Sequence, residues 1–274
     1  MEARAHALLD LAYEAGIRYL DAARSYGRAE DFLASWLTRR GLSPSDVTVG
    51  SKWGYTYTAG WRVDADQHEV KDLSVRTLRR QLAESRSLLG PHLDLYQIHS
   101  ATLESGVLDD RTLLAELRRL RESGLVVGLT VTGSCQPATL ERALELDIFD
   151  TVQATWNLLE RSAASVLAHA HSSGRGVIVK EALANGRLTA RGDVAALLEL
   201  AERRGVTPDA LALAAALAQP WADVVLSGAA TVETLRSNLS SLDVELDEGL
   251  EPALAALAED PARYWETRAA LPWN

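Results

Sequence analysis

The chain has 274 residues, 47% hydrophobic and 24% charged, with a formal net charge of −10 and a sequence pI near 5.1. An acidic surface repels phosphate backbones and anionic bilayers, so neither nucleic acid nor a membrane is an expected partner. The single cysteine, Cys135, excludes an intrachain disulfide and a multi-thiolate zinc site, and with no signal-like or membrane-spanning run in view a cytoplasmic location is expected.

In chain order, residues 2–15 carry Ala5, Leu8, Leu9, Leu11 and Ala12 at helical spacing, and Gly16 stops the helix. The run IRYLDAA follows, and alternation puts Ile17, Tyr19 and Asp21 on one face. Strand-like runs recur at 47–53, 93–100, 126–131, 151–157, 176–183 and 224–229. Helical patterns separate them at 71–89, 111–123, 137–145, 161–172, 193–204 and 207–218. Most of these strand runs are apolar on both faces, as parallel strands covered by helices must be. No G-x-G-x-x-G follows any of them, which disfavours a doubly wound nucleotide-binding sheet. Polar residues sit instead near the carboxyl ends of several strands: Asp21, Lys52, His99, Gln153 with Asn157, and Lys180 with Glu181. Spreading such groups over many strand ends is how a (β/α)8 barrel builds its site. The expectation is one α/β domain over residues 1–274, a TIM barrel lacking the first β-strand, since only seven strands are read and the chain opens with a helix.

Asp21, Tyr26, Lys52 and His99 suit one chemistry. A tyrosine is a poor acid at neutral pH, and a nearby lysine cation lowers its pKa by stabilising the phenolate. An aspartate keeps the lysine charged, and a histidine orients a substrate oxygen or relays a proton. The set suits protonation of a carbonyl oxygen while hydride arrives from a cofactor. Each residue alone also has a structural reading, as a cap, a packed loop aromatic or a satisfied histidine. Trp53, Tyr55 and Tyr57 either line an aromatic substrate pocket or pack a loop. His169 and His171, two apart on a helix, face different directions, so no metal site is expected. The tail PARYWETRAALPWN either folds over the mouth of the barrel or packs against a partner chain.

The stretches GIRYLDAARSYG, VTVGSKWG and SVRTLRRQLAESRSLLGPHLDLYQIHS resemble the aldo-keto reductases, (β/α)8 oxidoreductases that use nicotinamide cofactors. The resemblance implies that Tyr26 is the general acid, Lys52 its tuner, Asp21 the partner of Lys52, and His99 the orienter of the carbonyl. It places the cofactor at Thr130, Gln153, Lys180, Gly228 and Asn238. Thr130-Val131 stands where the family has Ser-Asn, and Lys180 where an aromatic commonly stacks on the nicotinamide. Gly228 and Thr234 replace basic residues that many members use for a 2′-phosphate, so the cofactor is NADP(H) or NAD(H) without a preference. The implied substrate is a small carbonyl compound. Two alternatives stay open: a barrel that keeps the four residues without productive cofactor binding, acting as a binding or regulatory subunit or an inactive truncated form, and a lyase or isomerase using Tyr26 and His99.

Overall fold

The computed structural model describes residues 1–60, 62, 65–247 and 249–271. It divides into two compact units, one of Met1–Val131 with Glu141–Thr151, the other of Thr132–Leu140 with residues 152–271.

In the first unit, helix α1 (Glu2–Glu14) leads into strand β1 (Tyr19–Asp21), helix α2 (Ala29–Arg40) and strand β2 (Thr48–Trp53). A hairpin of β3 (Tyr55–Tyr57) and β4 (Glu69–Lys71) precedes α3 (Val75–Leu89), β5 (Leu93–Ala101), α4 (Arg111–Glu122) and β6 (Val126–Val131). Strand order is β1-β2-β5-β6, every pairing parallel. The register sets Asp21 beside Gly50, Lys52 beside Gln97, and Gln97 beside Gly128. Alternation along β2 sends Val49, Ser51 and Trp53 one way and Gly50 and Lys52 the other. Trp53, Val49, Leu78, Ile98, Leu113 and Val127 form solvent-free core between strands and helices. Helix starts follow local chemistry: Ser74 caps α3 by accepting from Thr77 N, and Asp110 caps α4 by accepting from Thr112 N and Leu113 N.

Chain order continues with α5 (Gln136–Glu145), β7 (Thr151–Thr155), α6 (Ala164–Ser172), β8 (Gly176–Lys180), α7 (Ala195–Arg204), α8 (Pro208–Leu217) and β9 (Val224–Val225). Helices α9 (Val232–Leu239), α10 (Glu251–Ala255) and α11 (Pro261–Ala269) complete it. In the second unit β7 neighbours β8, and β8 pairs in parallel with β9. Its core gathers Leu158, Leu188, Leu197, Leu211, Leu254 and Tyr264.

All seven expected strands form, and among the described residues none precedes α1. Three end earlier than the apolar runs suggest. At β7 the Asn157 side-chain Oδ1 accepts from Leu159 N and Glu160 N and turns the chain. At β8 Glu181 takes φ +55°, which breaks the ladder. At β9 only Val224 and Val225 pair, which leaves Gly228 in a loop. The β3–β4 hairpin is not foreseen by the βα pattern. Pro272, Trp273 and Asn274 of the expected aromatic tail lie outside the described residues.

Candidate active site

The end of β1 keeps pairing with β2 after the strand proper stops. Ala22 N donates to Gly50 O (2.8 Å) and Arg24 N to Lys52 O (3.0 Å), and Tyr26 N turns back to Ala23 O. The Tyr26 loop is therefore pinned beside the end of β2, and Gly27, at φ +57°, turns it into α2. A buried network behind the loop reinforces this. Arg24 pairs with Glu30, whose carboxylate also accepts from Ser51 Oγ (2.6 Å) and Ser85 Oγ (2.7 Å), so α2, β2 and α3 converge on it. Gln81 of α3 holds the opposite side, accepting from Gly54 N and donating to Tyr55 O.

Four residues expected from the sequence meet here. Lys52, 1% exposed, donates to Asp21 Oδ2 at 2.5 Å and to Ala22 O at 3.0 Å. Its Nζ lies 4.8 Å from the centre of the Tyr26 ring. The rings of Tyr26 and His99 are 5.5 Å apart and nearly perpendicular. Desolvation opposes the charge on Lys52, but Asp21 and then Tyr26 outweigh it and raise its pKa, so the lysine stays cationic.

Tyr26 departs from the simple expectation. Its side chain keeps 47% exposure, so a substrate can reach it. Burial of its hydroxyl is nevertheless the largest influence and pushes its pKa up, with Asp21 and Glu69 adding to the rise. The charge of Lys52 pulls the other way without reversing the direction. The lysine thus limits a rise instead of producing a net fall.

The hairpin supplies the surroundings. Tyr55 packs edge-on against His99 at 4.9 Å. Lys71 stands 5.6 Å from the Tyr55 ring centre and donates to Ser100 O at 2.7 Å. Ser100, just after His99, takes φ +58°, and its N–H donates to Thr130 Oγ1 at 2.7 Å. A non-glycine residue held there beside candidate site residues is the kind of outlier that marks working sites. Of the three aromatics expected near Lys52, Tyr55 reaches His99, whereas Trp53 is wholly core because alternation turns it to the other face of β2. Glu69 and Lys71 were not singled out by the sequence, since their charges read as ordinary surface until the hairpin folds.

The remaining candidates, Gln153, Lys180, Gly228 and Asn238, belong to the second unit. Gln153 is 1% exposed and its Nε2 has no hydrogen-bond partner. Asn238 Nδ2 donates to Ser227 Oγ at 2.8 Å, while its buried Oδ1 is unpartnered. A Cβ placed on Gly228 would meet nothing, so that loop is open. The orphaned Asn238 acceptor beside this open loop, and the orphaned Gln153 donor on β7, each fit a ligand rich in amide and amine groups. Lys180 lies 3.8 Å from Glu181, which Arg268 of α11 grips with Nη2 at 2.6 Å and Thr155 Oγ1 reaches at 3.2 Å. Burial raises the Glu181 pKa, but Lys180 and Arg268 overcome it and hold it at about 2. Tyr264 of α11 receives a bond from Asn157 Nδ2 at 3.0 Å. The described part of the aromatic tail therefore docks on the carboxyl ends of β7 and β8.

Comparison with known proteins shows the family. Residues 1–257 match the sequence profile of the Aldo/keto reductase family. The protein Tas of Escherichia coli is 27% identical over 93% of this chain and 89% of its own length. The uncharacterized oxidoreductase YqkF of Bacillus subtilis is 27% identical over 87% of this chain and 82% of its own. An aldo-keto reductase of Bacillus halodurans, solved in its holo form, superposes with a TM-score of 0.77 at 21% identity. That match covers 94% of this chain and 88% of the other and shows the (β/α)8-barrel fold. The chain is an oxidoreductase that belongs to the aldo/keto reductase family.

Proposed function

We propose that the protein reduces a small aldehyde or ketone to the alcohol with NAD(P)H, the proton coming from Tyr26. The observation that carries the reading is the buried Lys52, ion-paired to Asp21 at 2.5 Å and set 4.8 Å from the Tyr26 ring. A carbonyl oxygen that gains negative charge needs a proton donor and an orienting group. Tyr26 donates from its hydroxyl, and Lys52 stabilises the phenolate left behind. Asp21 keeps Lys52 charged and in place, and His99, 5.5 Å from Tyr26, orients the same oxygen. Tyr55, against His99, shapes the space for the substrate.

Thr130, Gln153, Gly228 and Asn238 are the residues that would hold the cofactor, through a hydroxyl, two buried carboxamides and an open loop. When bound, the nicotinamide supplies the hydride. Lys180 cannot stack on a ring as an aromatic would, and its charge is engaged by Glu181. NADP(H) and NAD(H) stand level, because Gly228 and Thr234 offer no cation to a 2′-phosphate. Among relatives, one protein of Escherichia coli, 23% identical, is an NADH-specific methylglyoxal reductase. Among the described residues no helix is long and apolar enough to cross a membrane, and we place the protein in the cytoplasm. The engaged Lys180 favours a second reading, a barrel that keeps the four residues without productive cofactor binding.

The test is consumption of NADPH and of NADH over a panel of small aldehydes, against a Tyr26→Phe control. Turnover at least about 10²-fold above the control supports the reading, since positioned acid catalysis contributes that much. Equal turnover of the two proteins across the panel refutes it. Calorimetric titration with each nucleotide separates the second reading, which requires that neither binds.

A further inference from the structure

Asp21 has two oxygens, and Lys52 takes only Oδ2. The hydroxyl of Tyr19 donates to the other, Oδ1, at 3.3 Å. Tyr19 and Asp21 are two apart on β1 and so share a face. Burial, then the charge of Asp21, holds the Tyr19 phenol well above the usual tyrosine range, so it stays an O–H donor wherever the protein is folded.

The neighbouring strand is cut to fit. Gly50 lies beside Asp21 in the register and does not have the positive φ that demands glycine. Glycine inside a strand weakens it unless something needs the room. Here a Cβ would overlap the Tyr19 hydroxyl oxygen, approach Tyr19 Cζ to 3.2 Å and sit 3.5 Å from Asp21 Oδ1. The glycine serves an approach and not a turn.

We infer that Tyr19 is a positioning residue of the reaction: its O–H fixes the Asp21 carboxylate in the orientation that holds Lys52 against Tyr26, and Gly50 is what admits it. The inference rests on the proposed roles of Asp21, Lys52 and Tyr26. A carboxylate held by one donor swings about its Cβ–Cγ bond, and one held at both oxygens does not. Tyr19 also takes up part of the Asp21 charge, which leaves more of the Lys52 cation for Tyr26.

Tyr19→Phe removes one oxygen and keeps the ring. In the ligand-free protein, ring-carbon NMR of labelled tyrosines follows each phenol, and the Tyr26 signal is identified by its loss in Tyr26→Phe. The Tyr26 midpoint is expected to move up by at least about half a pH unit, the direction set when Lys52 serves it less. With a reducible aldehyde, kcat is expected to fall about 5- to 30-fold with KM little changed, the signature of an interaction made mainly in the transition state. Gly50→Ala, which displaces the Tyr19 hydroxyl, moves both readouts the same way, and the double variant goes no further than Tyr19→Phe alone. An unmoved Tyr26 midpoint in Tyr19→Phe overturns the inference whatever the turnover. If the unaltered protein reduces no carbonyl, the proposed function fails while the titration still decides this point. Should Gly50→Ala not fold, Tyr19→Phe alone decides.

Discussion

Replacing Arg268 by Met tests whether the charges on α11 hold the end of β8. Glu181 sits between Lys180 at 3.8 Å and the Arg268 guanidinium at 2.6 Å, and its side chain is 12% exposed. Its pKa is about 2 in the folded chain against an ordinary 4.5. At 1.36 kcal/mol per unit, that depression corresponds to about 3 kcal/mol of stability at neutral pH. Because the folded value is the lower one, this stability is complete above the unfolded value and is lost as pH falls from about 5 towards 2. Arg268 shares the effect with Lys180 and Thr155, so Arg268→Met should cost about 2 kcal/mol at pH 7. The gap should shrink below about 1 kcal/mol at pH 2.5, close to the folded Glu181 value of about 2, where most of this linkage stability has gone from the unaltered protein and nearly all of it from the variant. Urea unfolding at the two pH values measures both numbers, and urea leaves the ion pairs unscreened, as guanidinium would not. An equal loss at pH 7 and pH 2.5 would refute the reasoning. It would mean that Arg268 acts through its stem and its contact with the Trp265 ring at 5.6 Å, independently of Glu181.

Other outcomes follow from the first unit. Lys52→Met leaves Asp21 without its ionic partner, so a loss of about 3–5 kcal/mol is expected in thermal unfolding, with Tyr26 titrating higher than before. A stable Lys52→Met protein with an unchanged Tyr26 midpoint would contradict the pairing. Tyr26 must carry its proton to act as an acid, and its folded pKa lies above the ordinary 10.0. The falling branch of the pH–rate profile for reduction should therefore lie above pH 10, and a branch below 9 that vanishes in Tyr26→Phe would refute this. Gly128→Ala places a Cβ onto Thr151 Oγ1 and within 3.1 Å of Gln97 Cγ and of the Thr151 carbonyl oxygen. Overpacking of this kind costs about 1–3 kcal/mol, read as a Tm fall of about 2–4 °C per kcal/mol, and an unchanged Tm would show that the strands part freely.

Much of this molecule was legible before folding. Seven strands and the helices between them appear where apolar period and turn chemistry place them, because both-face burial and capping are written locally. Asp21, Tyr26, Lys52 and His99 could be picked out as a group because each stands at or just beyond a strand end, and parallel strands carry their ends to one side. The hairpin was missed because its three-residue strands are stabilised by Gln81 and by contacts to Ser100 and His99, none of them neighbours in sequence. The overlong β7, β8 and β9 were misread because apolar residues continue past the point where Asn157 and Glu181 turn the backbone.

The amino-acid order by itself determined the α/β class, the family and the identity of the four central residues, since periodicity and motif are properties of a one-dimensional string. Only the tertiary structure decided how those residues act on one another. The net direction of the Tyr26 pKa depends on how much water reaches its hydroxyl, which no motif encodes. That Gly50 makes room for Tyr19, and that Glu181 is held by an arginine 87 residues away, depends on distances between strands and helices. Hydrogen bonds and steric contacts act over a few ångströms and charges over about 10 Å, so they become definite only when the chain has brought its distant parts together.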